Sequence, residues 1–329
     1  MDASPGTPYE RKEAVVLINP AAHNVPSPKH LQEAAEWLRT QGWEAHWRET
    51  HAGGEATRIA AETAAKGIPI LIAFGGDGTV NEVANGLAGT DTVLATVPAG
   101  TSNLWAREAG LDRKPLDAVR AIINGDRRQI DLGKAGDRYF VLFAGYGIDA
   151  ATTQTVPLGV KDRLGAAAYI ISAARQALGW KAKPIRVRID GVERELNVIM
   201  AFAGNTRLYA GITKITPTAV ADDGKLDVCI YAGRGKRDIV FHAARTLLQL
   251  HRKSPKVLYR RASKIEFEWD EPLPAQVDGD PLDDCPREVT VAPLALWVAV
   301  PAGFVSPMFS RPAAPRRAAA LSLVPPQSG

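Results

Sequence analysis

The segment Phe74-Gly75-Gly76-Asp77-Gly78-Thr79-Val80-Asn81-Glu82 has the residue types and spacing to hold a chain of phosphates. An apolar run enters closely spaced glycines and leaves as a helical pattern. Glycines let the backbone approach an anion closely, and a helix start adds unpaired N–H groups and positive potential. Thr79 contributes a hydroxyl. Asp77 would repel a bare phosphate, so its carboxylate makes more sense against a magnesium ion or the reacting hydroxyl. The spacing is neither GxxxxGKS/T nor GxGxxG, so the two commonest phosphate-loop readings fail and no P-loop lysine supplies charge. A plain strand–turn–helix joint would account for one glycine, not for three with an acid.

Other loops carry the same kind of residue. Pro98-Ala99-Gly100-Thr101-Ser102-Asn103 sets glycine and hydroxyls between a strand and a helix, although Thr101 or Ser102 could equally be an N-cap. Thr50-His51-Ala52-Gly53-Gly54-Glu55 and Asn19-Pro20 also close apolar or alternating runs. In the second half, Asp222-Asp223-Gly224-Lys225-Leu226-Asp227 and Val277-Asp278-Gly279-Asp280 read either as Asp-Gly turns or as oxygen-rich sites.

The elements that must position these loops follow from periodicity. Ala14–Ile18, Glu44–Glu49, Ile68–Phe74 and Val93–Val97 read as strands, alternating with helical patterns over Lys29–Gln41, Gly54–Lys66 and Val80–Leu87. That alternation predicts a doubly wound parallel α/β domain over residues 1–130. Ligands of such sheets bind beyond the carboxyl ends of the strands, where Asn19, Gly75 and Pro98–Thr101 all fall. After about Ile130 short strands dominate: Tyr139–Gly145, Ile185–Ile189, Asn197–Gly204, Leu226–Ala232, Lys264–Trp269, Ala275–Asp278 and Glu288–Ala292. Helices are expected near Gly165–Leu178 and Lys236–Leu250. Residues 131–305 are therefore expected to form an antiparallel β-sandwich-like domain. Residues 306–329, rich in Pro, Ala, Arg and Ser, read as a disordered tail.

Bulk properties exclude several classes. Among 329 residues, 46% are apolar and 23% charged, an ordinary globular balance. The tail supplies Arg311, Arg316 and Arg317 of the net +4, leaving +1 elsewhere, too little to suggest a nucleic-acid partner. Cys229 and Cys285 do not make a disulfide framework, which fits a reducing cytoplasm. No apolar stretch approaches the ~18 residues of a membrane span. Contact with membrane is expected from the surface, at its inner face. The interval Arg234–Lys264 carries ten Lys/Arg and one acid, Asp238, around Ile239, Val240, Phe241, Leu247, Leu248 and Leu250. It reads as a helix for an anionic bilayer surface or as a core helix with a solvated basic face. Trp180 with Lys181, Lys183, Arg186 and Arg188 is a second surface candidate.

The order Asn19-Pro20, Thr50 with its glycines, Gly75–Glu82 and Pro98–Asn103 resembles the diacylglycerol kinase catalytic-domain family. That family includes sphingosine, ceramide and bacterial YegS/BmrU-like lipid kinases. The likeness continues through Ile130–Gly133, Ala144–Asp149, Ile215–Ala219, Asp222–Asp227 and Val277–Asp280, covering about residues 13–304. It implies an ATP-dependent kinase acting on a lipid hydroxyl, with its active site in the cleft between the domains. By position, ATP would be contacted by Asn19, Thr50, Gly75, Gly76, Asp77, Gly78, Thr79, Val80, Asn81 and Thr101. A structural magnesium ion would take the backbone oxygens of Val220 and Lys225 and the carboxylate of Asp223. Asp280 stands where the family has a glutamate general base, one methylene shorter; Asp77 would hold the catalytic metal or orient the hydroxyl.

Two rivals remain at this level. NAD kinases and phosphofructokinase-like enzymes use a similar Gly-Gly-Asp-Gly turn, but NAD kinases place their Asn-acid pair well downstream, whereas Asn81-Glu82 follows at once. A non-catalytic or catalytically weak nucleotide- or lipid-binding protein is the other, favoured by aspartate at position 280.

Overall fold

Strands β1 (Glu13–Ile18) and β3 (Ile70–Gly75) are buried at every position, as expected of a parallel sheet covered on both faces. β2 (Glu44–Glu49) alternates and borders the sheet, and β4 (Val93–Pro98) lies inside it. The order β2-β1-β3-β4 is parallel throughout. Helices α1 (Pro28–Thr40), α2 (Glu55–Ala65), α3 (Asp77–Leu87), α4 (Leu104–Glu108) and α5 (Pro115–Ile123) pack around it. Chain order reverses between β1 and β3, and the crevice of such a sheet opens beyond the strand ends there. The computed structural model describes residues 9–111, 114–155, 177 and 179–314. The helix expected near Gly165–Leu178 lies almost wholly outside the described residues.

The second region is antiparallel. β5 (Asp126–Ala135), β6 (Arg138–Phe140), β7 (Phe143–Gly147), α6 (Ile148–Thr155), β8 (Lys183–Ile189) and β9 (Val192–Gly204) come first. There follow a small hairpin of β10 (Leu208–Tyr209) and β11 (Thr213–Lys214), then β12 (Leu226–Ala232) and α7 (Lys236–Leu247). β13 (Val257–Ala262), β14 (Lys264–Glu268), β15 (Ala275–Val277), β16 (Asp280–Leu282) and β17 (Glu288–Val300) complete it. The path β16-β15-β7-β9-β8-β14-β17 encloses an apolar core containing Tyr146, Ile185, Val228, Phe267 and Val289.

β17 is longer than the expected Glu288–Ala292 and joins the two regions. Its first half pairs with β14 and β5; after a register shift between Ala292 and Leu296 it continues along β5 and meets β4 in parallel at Val298–Leu94. Leu294 takes φ +50° at the shift, and its N–H donates to Asp131 Oδ1 at 2.7 Å while Gly224 N–H donates to Asp131 Oδ2 at 2.6 Å. The Asp131 carboxylate thus holds the crossing. Its pKa is raised by burial and opposed by those two amides. The first sheet is completed by β17, whose Leu296, Val298 and Val300 join the same core, so a division at residue 130 follows chain order and not the core.

The tail also differs from expectation. Met308 is fully buried, Ser310 and Arg311 donate their backbone N–H groups to Asp222 at 2.7 and 2.9 Å, and Ala314 N–H reaches the Arg127 carbonyl. The apolar pair Met308-Phe309 buries surface that a purely polar segment lacks; residues 315–329 of the expected tail lie outside the described residues.

Candidate active site

Three loops converge where the sheet order reverses. Gly76 precedes α3 in an extended conformation and, as glycine, brings no capping side chain to the helix start. Gly76 and Gly100 meet backbone to backbone: a Cβ on Gly100 would lie 2.5 Å from Gly76 Cα. Asn103, at φ +46°, clamps this contact, its Oδ1 accepting from Gly100 N–H and its Nδ2 donating to Gly100 O, both at 2.8 Å. Asn24 Nδ2 donates to the same carbonyl at 3.0 Å. From the end of β1, Asn19 Nδ2 donates to Thr79 Oγ1 at 2.9 Å. A Cβ on Gly75 would strike Thr79, whereas one on Gly78 would enter open space. Gly75 is thus needed for packing, while Gly78 leaves a surface that an anion can approach.

The other expected nucleotide residues separate. Thr101 is exposed on the Gly100 loop. Thr50 is buried at the end of β2 and donates its N–H to Ile18 O at 3.0 Å. Val80 N–H is spent on Gly76 O and its side chain is in the core, so it offers little to a ligand. Asp77 does not present an unengaged carboxylate to the crevice. Its oxygens accept Leu104 N–H at 3.0 Å and Trp105 N–H at 3.1 Å, capping α4 from a neighbouring loop. Asn103, the formal N-cap of α4, turns its side chain to Gly100 instead. Glu82, which received no role from sequence, accepts Gly54 and Ala56 N–H groups at the start of α2.

Asn81 is fully buried and joins the two regions. Its Nδ2 donates to Asp278 Oδ2 at 2.8 Å and to Tyr139 O at 3.0 Å. Asp278 also accepts Val141, Leu142 and Phe143 N–H groups at 2.8–2.9 Å. Satisfying those amides from the side ends the expected strand Tyr139–Gly145 as two pieces, β6 and β7. Burial pushes the Asp278 carboxyl up to about 6 despite the four donors. Asp278 and Gly279 form the two-residue turn of the β15–β16 hairpin, both at positive φ (+50° and +91°), as the Asp-Gly pattern favours.

Asp280 follows directly on this turn, with a half-exposed carboxylate. Arg138 donates to its Oδ2 at 2.8 Å and to Asn81 Oδ1 at 3.3 Å, linking Asp280 to helix α3, which starts at the glycine turn. Behind the turn, Gln276 Oε1 accepts Gly279 N–H at 2.7 Å, and Gln276 Nε2 donates to Asp149 Oδ2 at 2.8 Å. Tyr209 donates its hydroxyl to the other oxygen of Asp149. Arg138, Gln276 and Tyr209 carried no local signal; Asp149 lay in a recognised motif without a role.

The loop proposed for structural magnesium is organised differently. Asp223 Oδ1 accepts Lys225 N–H at 3.0 Å, and Oδ2 is paired with the Arg261 guanidinium. Arg261 Nε also lies 3.5 Å from Asp227 Oδ1. A guanidinium therefore holds the place of the positive charge that the carboxylate would offer a cation, and the set Val220, Asp223 and Lys225 does not fit a metal as it stands. Among the described residues no three His, Cys, Asp or Glu side chains converge as a metal cage.

Residues 13–135 match the model of the diacylglycerol kinase catalytic domain, and residues 143–300 that of the YegS C-terminal NAD kinase beta sandwich-like domain. The Pseudomonas putida KT2440 protein named "Probable lipid kinase YegS-like" is 33% identical over 92% of this chain and 99% of its own length. Diacylglycerol kinase of Bacillus subtilis strain 168 is 29% identical over 82% and 90%. The crystal structure of a candidate diacylglycerol kinase from Bacillus anthracis str. Sterne superimposes with a TM-score of 0.75 at 25% identity. It covers 89% of this chain and 98% of that one.

Proposed function

Because the chain belongs to the diacylglycerol kinase family of lipid kinases, we propose that it transfers the γ-phosphate of ATP to the hydroxyl of a lipid, diacylglycerol or a near relative. The observation that carries this reading is the linkage of two sites through one helix. The N-terminus of α3 faces the phosphate crevice, and two residues beyond Thr79 its Asn81 is tied to the turn bearing Asp280.

Phosphoryl transfer asks a protein mainly for positioning and charge neutralisation. The Gly76–Thr79 backbone and Thr79, held by Asn19, receive the phosphates. Exposed Thr101, on the Gly100 loop, would border the nucleotide, whereas buried Thr50 supports the end of β2. The lipid hydroxyl oxygen attacks the γ-phosphorus as the bond to the β-phosphate oxygen breaks, releasing ADP. The hydroxyl proton passes to the Asp280 carboxylate, which Arg138 holds in place. Magnesium entering with ATP would neutralise phosphate charge, using phosphate oxygens and water with few protein ligands. Asp77 serves this chemistry indirectly, by fixing α4 and hence the Gly100 loop. The setting is cytoplasmic, with peripheral contact at the inner face of a membrane; among the described residues no helix is long and apolar enough to cross one.

A catalytically weak binding protein is the second reading, favoured by the Arg138–Asp280 pair, which occupies one oxygen of the carboxylate proposed to accept the proton. ADP release in diacylglycerol micelles separates the two. Lipid-dependent release supports transfer; ATP binding without release supports the weaker reading.

A further inference from the structure

Helix α7 packs inside out. The side chains it buries most deeply are His242 and Thr246, His242 Nε2 on the Ala232 carbonyl at 2.8 Å and Thr246 Oγ1 on Tyr231 OH at 2.9 Å. Of its large apolar residues Ile239 is half-buried, but Val240 is 68% exposed, Leu247 62% and Phe241 42%, and Leu248, just past its end, 68%. Ile212, 55% exposed at the tip of the β10–β11 hairpin, continues the patch. The hairpin is fastened to the end of α7 by Gln249, whose Nε2 donates to Thr213 Oγ1 at 2.9 Å and Lys214 O at 3.0 Å.

A sequence alternative for this segment was a core helix with a solvated basic face; the burial pattern is the reverse. Exposed apolar patches of this kind mark interaction surfaces. The rim is cationic. Arg234, Lys236, Arg237, Arg245 and Lys253 form no ion pair with a carboxylate among the described residues, and the one acid of the helix, Asp238, is taken by Lys256 at 2.6 Å. The Trp180 surface is unlike it, because Arg186 and Arg188 there are neutralised by Glu193, Glu195 and Glu268.

We propose that α7, its following turn and the Ile212 hairpin form a docking face for an anionic lipid bilayer. Apolar side chains enter the acyl boundary while the rim cations meet anionic headgroups. A second copy of the chain is a poorer occupant, because a self-complementary contact would bring these cations together. The face is also connected to the active site. Tyr209, on the docked hairpin, donates to Asp149, which leads through Gln276 to the turn before Asp280. The docked hairpin is thus tied by hydrogen bonds to the turn that bears Asp280. The purpose of the face rests on the lipid-kinase reading; the binding does not.

Sedimentation of the full chain with vesicles tests it, using pure phosphatidylcholine and phosphatidylcholine mixed with phosphatidylglycerol. Binding should be at least tenfold tighter to the mixed vesicles and weaken with salt. Leu247→Glu with Leu248→Glu should lower it at least tenfold, and each of Lys236→Gln and Arg237→Gln about fivefold, from ~1 kcal/mol per surface cation. All four positions are exposed, so unchanged melting temperatures are expected; the salt dependence of the unaltered protein tests the charge component without any substitution. Turnover of a short-chain diacylglycerol dissolved below its aggregation limit should be unchanged in every variant. Equal binding to both vesicle types, or leucine variants that bind like the parent, would overturn the proposal. So would a dimer in solution that the leucine variants convert to monomer without affecting vesicle binding. If vesicles bind as expected but no lipid is phosphorylated, the docking face stands and the kinase reading falls.

Discussion

Replacing Asp278 by asparagine should make the stability of this protein depend on pH in a way that isolates one carboxylate. In the native state Asp278 is buried and accepts four N–H groups at 2.8–2.9 Å. An asparagine oxygen can serve two of them; its NH2 faces the other two. Two orphaned donors cost ~1–3 kcal/mol each. Against this, removing the charge relieves its burial. A rise of the carboxyl from 3.8 to about 6 is worth ~3 kcal/mol at pH 7. The variant should therefore be at most ~3 kcal/mol less stable at pH 7. The sign of the pH effect follows from the raised value. The folded state holds this proton more tightly than the unfolded state, so the contribution of Asp278 is fullest below about pH 4 and is lost as pH rises through about 6. Asparagine has no such contribution. Urea denaturation of both proteins between pH 4 and 7 should show the gap between them widening by up to ~3 kcal/mol toward acid. Curves that run parallel across this range would refute the assignment of a buried, proton-seeking carboxylate at this position.

Two glycines separate packing from binding. Gly100→Ala forces a Cβ to within 2.5 Å of Gly76 Cα and should displace the loop, lowering ATP affinity at least tenfold in equilibrium titration. Gly78→Ala finds open space and should stabilise α3 by up to ~1 kcal/mol while weakening ATP binding, read from melts with and without nucleotide. At the Asp223 loop, EDTA should leave the melting temperature of the unaltered protein unchanged, because Arg261 supplies the counter-charge. Arg261→Ala should cost about 1 kcal/mol and make melting respond to magnesium. A magnesium response of similar size in the unaltered protein would show that the cation competes with the guanidinium.

What was legible in the sequence is what local chemistry dictates. The glycine turn and the ends of the four parallel strands each need particular residues at adjacent positions, and each appears within a residue of where it was expected. The occupation of Asp77 was not legible, because the amides it caps belong to residues 27 and 28 positions away. Asn81 read as a nucleotide contact, yet its partner Asp278 is 197 residues on. Arg138 reaches Asp280 across 142 residues. Such pairings depend on how the two regions dock, which periodicity does not encode. The crossing of β17 was hidden for a similar reason: Leu294 adopts positive φ without being glycine, held there by Asp131. In residues 306–314 composition misled, since buried Met308 outweighed the neighbouring prolines and serines.

The central claim is that Asp280 accepts the proton of a lipid hydroxyl during transfer from ATP. Radiolabelled ATP incubated with a total lipid extract and either the unaltered protein or Asp280→Ala measures it directly. The unaltered protein should place label in a lipid that can then be identified. The variant should turn over ~10²–10⁴-fold more slowly, the usual span for loss of a general base, with ATP affinity little changed. Equal labelling by the two proteins would remove Asp280 from the chemistry, and label appearing in NAD instead of lipid would contradict the account as a whole.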